Sequence, residues 1–332
     1  MLRDVFGIID HGTALRYQES DHFVSEPAAD LAINLTAVER LLGQTSLVAL
    51  GEFRCPVRHT QFAGGGPQSC HYIVFPRNPV RIQMHGGDCE VASPGTLRFY
   101  NEGDSYDRAA VGARPDESDW IALNSQLLDD LLARSSGAAR SGQSKMFPAR
   151  SAPVSARLCL WQRRLFAFAA RAQPYSRLAL EEAGIACAGR AIHEATHYWS
   201  HVKSPRRAPR RLSQQRRAQI AEQTKEILAV DPALELSIAD LAARVHCSVA
   251  HLARVFVTHT GRSLHEFRQQ IRLHHALDLI AGGGCSLADI ALQAGYASHS
   301  HMTQAFRRGF GFVPSRLRTT VMRDLDSPPV GR

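Results

Sequence analysis

The sequence predicts an α+β protein of more than one domain, with an antiparallel β-barrel in front and an all-helical domain behind. Between residues 47 and 124, short apolar runs are separated by Gly, Pro and Asn, which is typical of short antiparallel strands. From residue 154 onward the apolar residues recur at helical spacing, and residues 237–268 are repeated at 286–318. A chain of 332 residues has room for both parts.

The composition is that of an ordinary globular protein, with 44% hydrophobic and 21% charged residues. No run approaches the roughly 18 apolar residues that a membrane span needs, and the first residues lack the apolar core of a secretion signal. The seven cysteines are scattered without a CxxC pair, which favours reduced thiols. These features predict a cytoplasmic protein with no membrane partner.

The front half contains seven segments with strand character. Seven or eight strands at this spacing predict a small sandwich or barrel over residues 47–133. Residues 1–46 form an N-terminal extension of unclear structure, in which 30–43 have the pattern of a short helix. The seven segments are 47–54, 71–76, 80–86, 89–92, 95–101, 105–111 and 118–123.

Residues 134–200 combine a linker with a helical segment. The stretch 134–153 is small, polar and basic, which is typical of a linker. Two amphipathic helices follow over 154–199, separated at Gln173-Pro174. Their apolar faces need a partner, which is either the barrel or the same helices of a second chain, and the second alternative predicts a homodimer. Residues 201–212, rich in Pro and Arg, form a second linker.

The internal repeat defines the C-terminal domain, residues 213–322, which a tail at 323–332 follows. Each copy consists of a short helix, a tight turn and a longer helix, which is the outline of a helix-turn-helix unit. Four positions recur 49 residues later and five recur 50 residues later, so the turn of the second copy holds one extra residue. The first set is Ser237, Ala239, Asp240 and Ala242, and the second is Ser248, His251, Phe256, Gly261 and Arg268.

Capping residues predict where these helices begin. Ser213 is placed to cap the opening helix, and Ser248 and Ser298 to cap the longer helix of each unit. Between the units a helix from Ser263 to Ala281 is about 28 Å long, which is close to the roughly 34–36 Å between successive major grooves. Capping-box spacing is present in three pairs: Ser237 with Asp240, Ser263 with Glu266, and Ser286 with Asp289.

The positive charge of the chain is concentrated behind residue 200. Residues 201–332 hold 19 Lys and Arg against 10 Asp and Glu, whereas residues 1–200 hold 20 against 21. This asymmetry predicts a polyanionic partner for the C-terminal part alone, and a tandem helix-turn-helix makes double-stranded DNA the expected polyanion.

The second copy and the helix before it hold a set of residues at characteristic spacing. In the second copy these are Ile290, Ala291, Gly295, Tyr296, Ser300, His301, Phe306, Arg307, Gly311, Pro314 and Arg318, and in the connecting helix they are Arg272, Leu273, Ala276 and Leu279. This set resembles the signature of the AraC/XylS family of bacterial transcription regulators, and the resemblance covers about residues 213–322. Met302 and Leu317 stand where that family commonly has Phe and Tyr, and His246 stands in the first turn where many members have Gly.

The resemblance implies which side chains face the bases. Arg254 suits a bidentate contact to guanine, and Gln304 suits adenine. Leu252, Phe256, Met302 and Phe306 are expected in the core, and His251 and His301 are expected to be structural. The expected base-reading residues are Val249, Ala250, Ala253 and Arg254 in the first unit and His299, Ser300, Thr303 and Gln304 in the second. The candidate phosphate contacts are Ser248, Ser298, Arg268, Arg307, Arg308 and Arg318, each arginine being equally well explained as a solvated side chain.

The front half resembles the cupin-like effector and dimerisation region of the same family. Cupin metal sites use a cluster of His and Glu, whereas His71 and His85 stand alone here, which predicts a metal-free barrel without a cofactor. The expected partners besides DNA are a second copy of the chain, a small-molecule effector and, for an activator, RNA polymerase.

Two other functions remain open at this point. One is a thiol- or zinc-responsive regulator that uses Cys55, Cys70 and Cys89, whose spacing matches no common zinc pattern. The other is a cupin-type enzyme fused to a DNA-binding domain, for which the chain lacks a nucleophile elbow, a P-loop and a dinucleotide fingerprint. The sequence therefore predicts a regulator and not an enzyme.

Overall fold

The computed structural model describes residues 29–136, 146–171, 177–201 and 211–318. Within these residues the front half consists of two antiparallel sheets, together the barrel, with helices packed on one of them. The back half is helical. This is the predicted α+β architecture. None of the helices in these ranges is long and apolar enough to cross a membrane.

The two sheets account for all seven predicted strand segments. The larger sheet has the order β1-β2-β9-β4-β7-β10 and the smaller one the order β3-β8-β5-β6. The strands are β1 Glu39–Gln44, β2 Val48–Cys55, β3 Gly64–Gly65, β4 His71–Pro76, β5 Val80–Met84, β6 Cys89–Ala92, β7 Thr96–Tyr100, β8 Tyr106–Ala110, β9 Asp116–Leu123 and β10 Ser151–Pro153.

The larger sheet is buried on both faces. Along β2, Val48 and Leu50 belong to the core that the helices cover, whereas Ala49 and Phe53 belong to the core between the two sheets. Successive side chains of a strand point to opposite faces, so a strand with two buried faces is apolar at consecutive positions. This is why the run from 47 to 50 is continuously apolar instead of alternating.

The short helix expected over residues 30–43 is wrong. Residues 39–44 form β1, which pairs antiparallel with β2 from Glu39 opposite Phe53 onward. Leu42, only 6% exposed, packs in the core beneath the helices. Pairing at the edge of the sheet and burial against it override the local helical pattern, which a single stretch of sequence cannot reveal.

The linker expected over residues 134–153 is also wrong at its C-terminal end. Residues 151–153 form β10 and pair with β7, at the edge of the larger sheet. Phe147 is buried, and its backbone N–H donates to Oδ1 of Asn101 at 2.8 Å. The small polar composition that indicates a linker applies to residues 137–145, which lie outside the described residues.

Three helices cover the outer face of the larger sheet: α1 Ser125–Ser136, α2 Ala156–Arg171 and α3 Arg177–His201. Their buried side chains, including Leu165, Phe166, Ala188 and Ile192, join the core of that face. The apolar faces of α2 and α3 therefore have their partner inside the same chain. The break at Gln173-Pro174 and most of the Pro/Arg linker lie outside the described residues.

The back half contains α4 Arg211–Val230, α5 Ile238–Arg244, α6 Val249–Thr260, α7 Leu264–Gly282, α8 Leu287–Gln293 and α9 His299–Phe310. The predicted cap at Ser213 is wrong because α4 already begins at Arg211. On the inward face of α4, Ile220, Ala221, Thr224 and Leu228 are buried and Ile227 is half-buried. Two cores result, one joining α4 to α5 and α6, and one joining α7 to α8 and α9.

Candidate nucleic-acid interface

The two copies of the repeat fold as two helix-turn-helix units, α5 with α6 and α8 with α9. The burial of the longer helix is the same in both: positions 251–256 and 301–306 follow one pattern of buried and exposed side chains. The turns also agree, because His246 and Gly295, which are 49 residues apart, both have a positive φ, of 54° and 82°. His246, which stands where many members of the resembling family have Gly, thus adopts the left-handed conformation that Gly favours.

Serine caps fix the start of each longer helix. The hydroxyl of Ser248 accepts from the backbone N–H of His251 at 3.3 Å, and that of Ser298 accepts from His301 at 3.1 Å. Both caps are confirmed. The capping boxes at Ser237 and Ser263 are complete, whereas at Ser286 the hydroxyl accepts from the backbone of Asp289 at 3.1 Å as one half of the motif.

The expected base-reading residues lie together on the outward face of each longer helix. Leu252, Phe256, Met302 and Phe306 are fully buried on the opposite face, as predicted. The burial of these four residues fixes the rotation of each helix and directs the other face to solvent. Exposed on that face are Val249, Ala250 and Arg254 in α6 and His299, Ser300 and Gln304 in α9, with Ala253 and Thr303 half-buried at the same position of each.

Two of the candidate phosphate contacts make equivalent bonds inside the protein. Nη2 of Arg268 donates to the carbonyl oxygen of Leu236 at 2.8 Å, and Nη2 of Arg318 donates to that of Cys285. Arg268 thus bonds α7 to the residue before the first unit, and Arg318 bonds the segment behind α9 to the residue before the second unit. Burial lowers the pKa of Arg268. Arg307 and Arg308 are exposed in the last turn of α9, where they remain candidate phosphate contacts.

The helical back half is docked on the barrel, a feature that the sequence did not signal. Nε2 of Gln270, on α7, donates to the carbonyl oxygens of Gly95 and Val154 at 2.9 and 3.0 Å. Glu222, on α4, accepts from the backbone N–H of Val91 at 2.5 Å. The partners are more than 100 residues apart in sequence, so no local pattern could have paired them.

An ion pair and an apolar contact extend this docking along the connecting helix. Arg163, on α2, pairs with Asp278 on α7. Leu160, one turn earlier on α2, joins the core of the second helix-turn-helix unit. Helix α2, which covers the barrel, therefore also contacts α7, the connector between the two helix-turn-helix units.

Inside the barrel, a cavity of about 50 Å³ lies between the two sheets. Its walls include Arg98, Arg108 and three tyrosines. Burial raises the pKa of Tyr72 to about 12, so its phenol is protonated at neutral pH.

The residues of the thiol and metal alternatives are placed as follows. Cys55 and Cys70 are buried and Cys89 is exposed. The ring nitrogens of His71 lie within hydrogen-bond distance of Asn101 and Ser125, and His85 pairs with Asp107. In the four described ranges, no group of three or more His, Cys, Asp or Glu side chains is arranged to hold a metal ion.

Two capped helix-turn-helix units with matching outward faces on one connecting helix define the class of this domain, which is a tandem helix-turn-helix DNA-binding domain. The family described as "Helix-turn-helix domain" matches residues 241–320. This C-terminal domain is of the AraC/XylS type.

The relatives with which this chain aligns are regulators by name. It is 35% identical over 94 residues to the uncharacterised HTH-type transcriptional regulator YidL of Escherichia coli, covering 28% of this chain and 32% of that protein. It is 39% identical over 66 residues to the virulence regulon transcriptional activator VirF of Yersinia enterocolitica, covering 20% and 24%. The chain thus spans about a third or less of these relatives' length.

Among solved structures, ToxT from Vibrio cholerae O395 aligns over 86% of this chain and 99% of its own at 12% identity, with a TM-score of 0.32. The similarity is loose at that score. The architecture of the front half follows from its own two sheets and the helices that cover them.

Proposed function

We propose that the protein is a sequence-specific transcription regulator whose two helix-turn-helix units read adjacent major grooves of one DNA duplex. The observation that carries the proposal is the matched pair of outward faces, with Arg254 in α6 and Gln304 in α9 at the same position of the repeat. The excess of positive charge behind residue 200 supplies the attraction to phosphates. Arg307 and Arg308 contribute to it at the end of α9.

Control of this binding is assigned to the front half. A small-molecule effector in the barrel, or a contact through α2 and α3, changes how the docked DNA-binding domain is presented. The protein acts in the cytoplasm. RNA polymerase is a further partner if the protein works as an activator. The regulator is preferred to the cupin-type enzyme and to the thiol or zinc sensor because the two helix-turn-helix units present matched outward faces.

Replacing Arg254 with Ala is expected to weaken specific DNA binding by about 1–3 kcal/mol and to relax the preference at one base pair, because a bidentate contact to a base is lost. Gln304→Ala is the matched variant, being the same position in the second unit. It is expected to relax the preference at a position about one helical turn away.

The measurement is selection of bound DNA from a random pool with the full-length protein and both variants, at two salt concentrations. Wild-type protein is expected to enrich two short half-sites about one helical turn apart. If both variants enrich the wild-type motif unchanged, the assigned reading faces are wrong. If wild-type protein binds in a salt-sensitive way without enriching a motif, the binding is electrostatic alone and the proposal of sequence-specific reading fails.

We further propose a homodimer through the outward surfaces of α2 and α3, whose inward faces the sheet occupies. Leu178, at the start of α3, is 72% exposed and is the natural residue to perturb. Sedimentation equilibrium of the full chain is expected to give twice the monomer mass of 36.6 kDa, and Leu178→Glu is expected to weaken association. A strict monomer at high concentration contradicts the dimer.

A further inference from the structure

A cavity of about 120 Å³ lies between the barrel and the DNA-binding domain. Strands β6, β7 and β10 form one wall, and α4, α6 and the turn before α7 form the other. The charged residues and the histidine that line it are Glu90, Arg98, Glu222, Lys225, His259 and Arg262. The cavity is separate from the reading faces of α6 and α9, and it is larger than the cavity inside the barrel.

Arg98 is the buried donor of this cavity. The residue is 1% exposed, and its Nη1 pairs with the carboxylate of Glu90. Its Nε and Nη2 are buried and have no hydrogen-bond partner among the described residues. The ring of Tyr100 lies beside the guanidinium, its centroid 5.7 Å from Cζ, and Arg98 also lines the cavity between the two sheets. Buried donors of a charged group are nearly always satisfied in folded proteins, because an unmade bond leaves the desolvation cost uncompensated. The two unpaired nitrogens therefore favour an acceptor that the described residues do not supply.

The charge around the cavity has the sign that an anion requires. Arg98, Lys225 and Arg262 are cationic, whereas Glu90 and Glu222 are the anionic residues of the lining. Both carboxylates are already engaged, Glu90 by Arg98 and Glu222 by Lys225 and His259. The three cations and two carboxylates of the lining therefore leave one positive charge in excess, with His259 left out of the count.

Arg262 places the second donor group at the boundary of the two domains. It follows Gly261, which ends α6, and its guanidinium makes long bonds of 3.4 and 3.5 Å to the carbonyl oxygens of Gly95 and Val154. Burial lowers its pKa. An anion beside this guanidinium offsets the cost of burying its charge.

We propose that this cavity binds a small oxyanion, a carboxylate or a phosphate, between Arg98 of the barrel and Arg262 of the first helix-turn-helix unit. A cavity of about 150 Å³ accommodates benzene, so the present one suits a ligand of about five or six non-hydrogen atoms. Because the walls come from both domains, the bound anion holds the docked arrangement and alters DNA binding. This regulatory part rests on the proposed function, whereas anion binding itself does not. The alternative occupant is ordered water.

The test is calorimetric titration of the full-length protein, without DNA, with sodium phosphate and with sodium acetate, each against sodium chloride at equal ionic strength. We expect saturable binding of at least one of the two anions and none of chloride. Arg98→Met is expected to weaken that binding at least tenfold, and Arg262→Gln to weaken it severalfold. Arg81→Gln is the matched control, since it removes another ion pair between the domains, that with Glu226, without lining the cavity.

The preference between phosphate and acetate distinguishes the two ligand chemistries. If neither anion binds saturably, the cavity is filled by water and the proposal is overturned. Equal weakening by Arg81→Gln and Arg262→Gln also overturns it, because the effect then follows domain docking and not the cavity. Arg262→Gln keeps the test decisive if Arg98→Met fails to fold.

DNA affinity, measured with and without the anion, tests the regulatory part alone. We expect the anion to change the affinity of wild-type protein and of Arg81→Gln but not of Arg262→Gln. Unchanged wild-type affinity at saturating anion overturns the regulatory role. Absence of specific DNA binding by the anion-free and the anion-bound protein would instead count against the proposed function and leave the binding result standing.

Discussion

Replacing Glu222 with Ala is expected to lower the free energy of unfolding by about 3–5 kcal/mol, because it breaks a buried ion pair by removing one partner. The carboxylate of Glu222 accepts from Nζ of Lys225 at 3.0 Å, from Nε2 of His259 at 2.7 Å and from the backbone N–H of Val91 at 2.5 Å. Lys225 is 8% exposed, so its charge cannot regain full hydration in the variant. Urea unfolding of the full chain at pH 7 measures the loss.

Glu226→Ala is the matched control, one turn further along α4. Glu226 pairs with Arg81 at 2.5 Å, but the side chains of the pair are 27% and 41% exposed, so the expected loss is only about 0–1 kcal/mol. Equal losses in the two variants would show that Glu222 is not the buried anchor between the domains.

The contribution of Glu222 also has a definite pH dependence. Burial alone would raise its pKa, but Lys225, His259 and the backbone N–H of Val91 outweigh burial and hold the pKa at about 2, below the ordinary 4.5. A depressed carboxyl pKa stabilises the folded state above the unfolded pKa. The stabilisation, about 3 kcal/mol, is therefore complete above pH 4.5 and lost as the pH falls from 4.5 towards 2. In Glu222→Ala, this part of the acid-induced loss of stability is expected to disappear.

Replacing Gly295 with Ala is expected to destabilise the second helix-turn-helix unit by about 2–5 kcal/mol, through two separate costs. The residue has φ of 82°, where a side chain costs about 1–2 kcal/mol. An added Cβ would also lie 2.6 Å from the carbonyl oxygen of Pro232 and 2.7 Å from Cα of Ala233. Both are backbone atoms and cannot rotate away, so overpacking adds about 1–3 kcal/mol. The same carbonyl accepts from Nε of Arg272 at 2.8 Å, a bond that the shift would disturb.

Two further variants separate these costs. Gly103 has φ of 83° with nothing within 4 Å of an added Cβ, so Gly103→Ala is expected to cost the backbone part alone, about 1–2 kcal/mol. His246→Gly relieves the strained conformation at the equivalent turn but adds unfolded-state entropy, and it is expected to change stability by less than about 1 kcal/mol. Thermal unfolding compares all three. If Gly103→Ala costs as much as Gly295→Ala, the clash with Pro232 and Ala233 has no measurable effect.

The C-terminal domain could be predicted from sequence because its signals are local and occur twice. Ser248 and Ser298 mark the starts of the longer helices, Phe256 and Phe306 mark their buried faces, and the two copies agree at these positions. The strands between 47 and 123 were equally accessible, since turns separate short apolar runs there. The local signals failed at 39–44 and 151–153, where edge pairing decides the structure, and at Ser213, where α4 begins two residues earlier.

The placement of the arginines shows the same division. Arg268 and Arg318 are indistinguishable in sequence from solvated or phosphate-binding arginines, yet each binds a carbonyl 32 or 33 residues away. Arg98 lies in a strand segment without any local signal of burial, yet only 1% of it is exposed in the structure.

The repeat, the two outward faces, the strand segments and the uneven charge follow from the sequence alone, because periodicity, caps and composition are properties of neighbouring residues. The three-dimensional packing is what brings α2 and α3 over their own sheet, docks α4 and α7 on the barrel, and places Arg98 and Arg262 around one cavity. These features depend on residues more than 100 positions apart, which meet because burying apolar surface and pairing buried charges stabilise the folded chain as a whole.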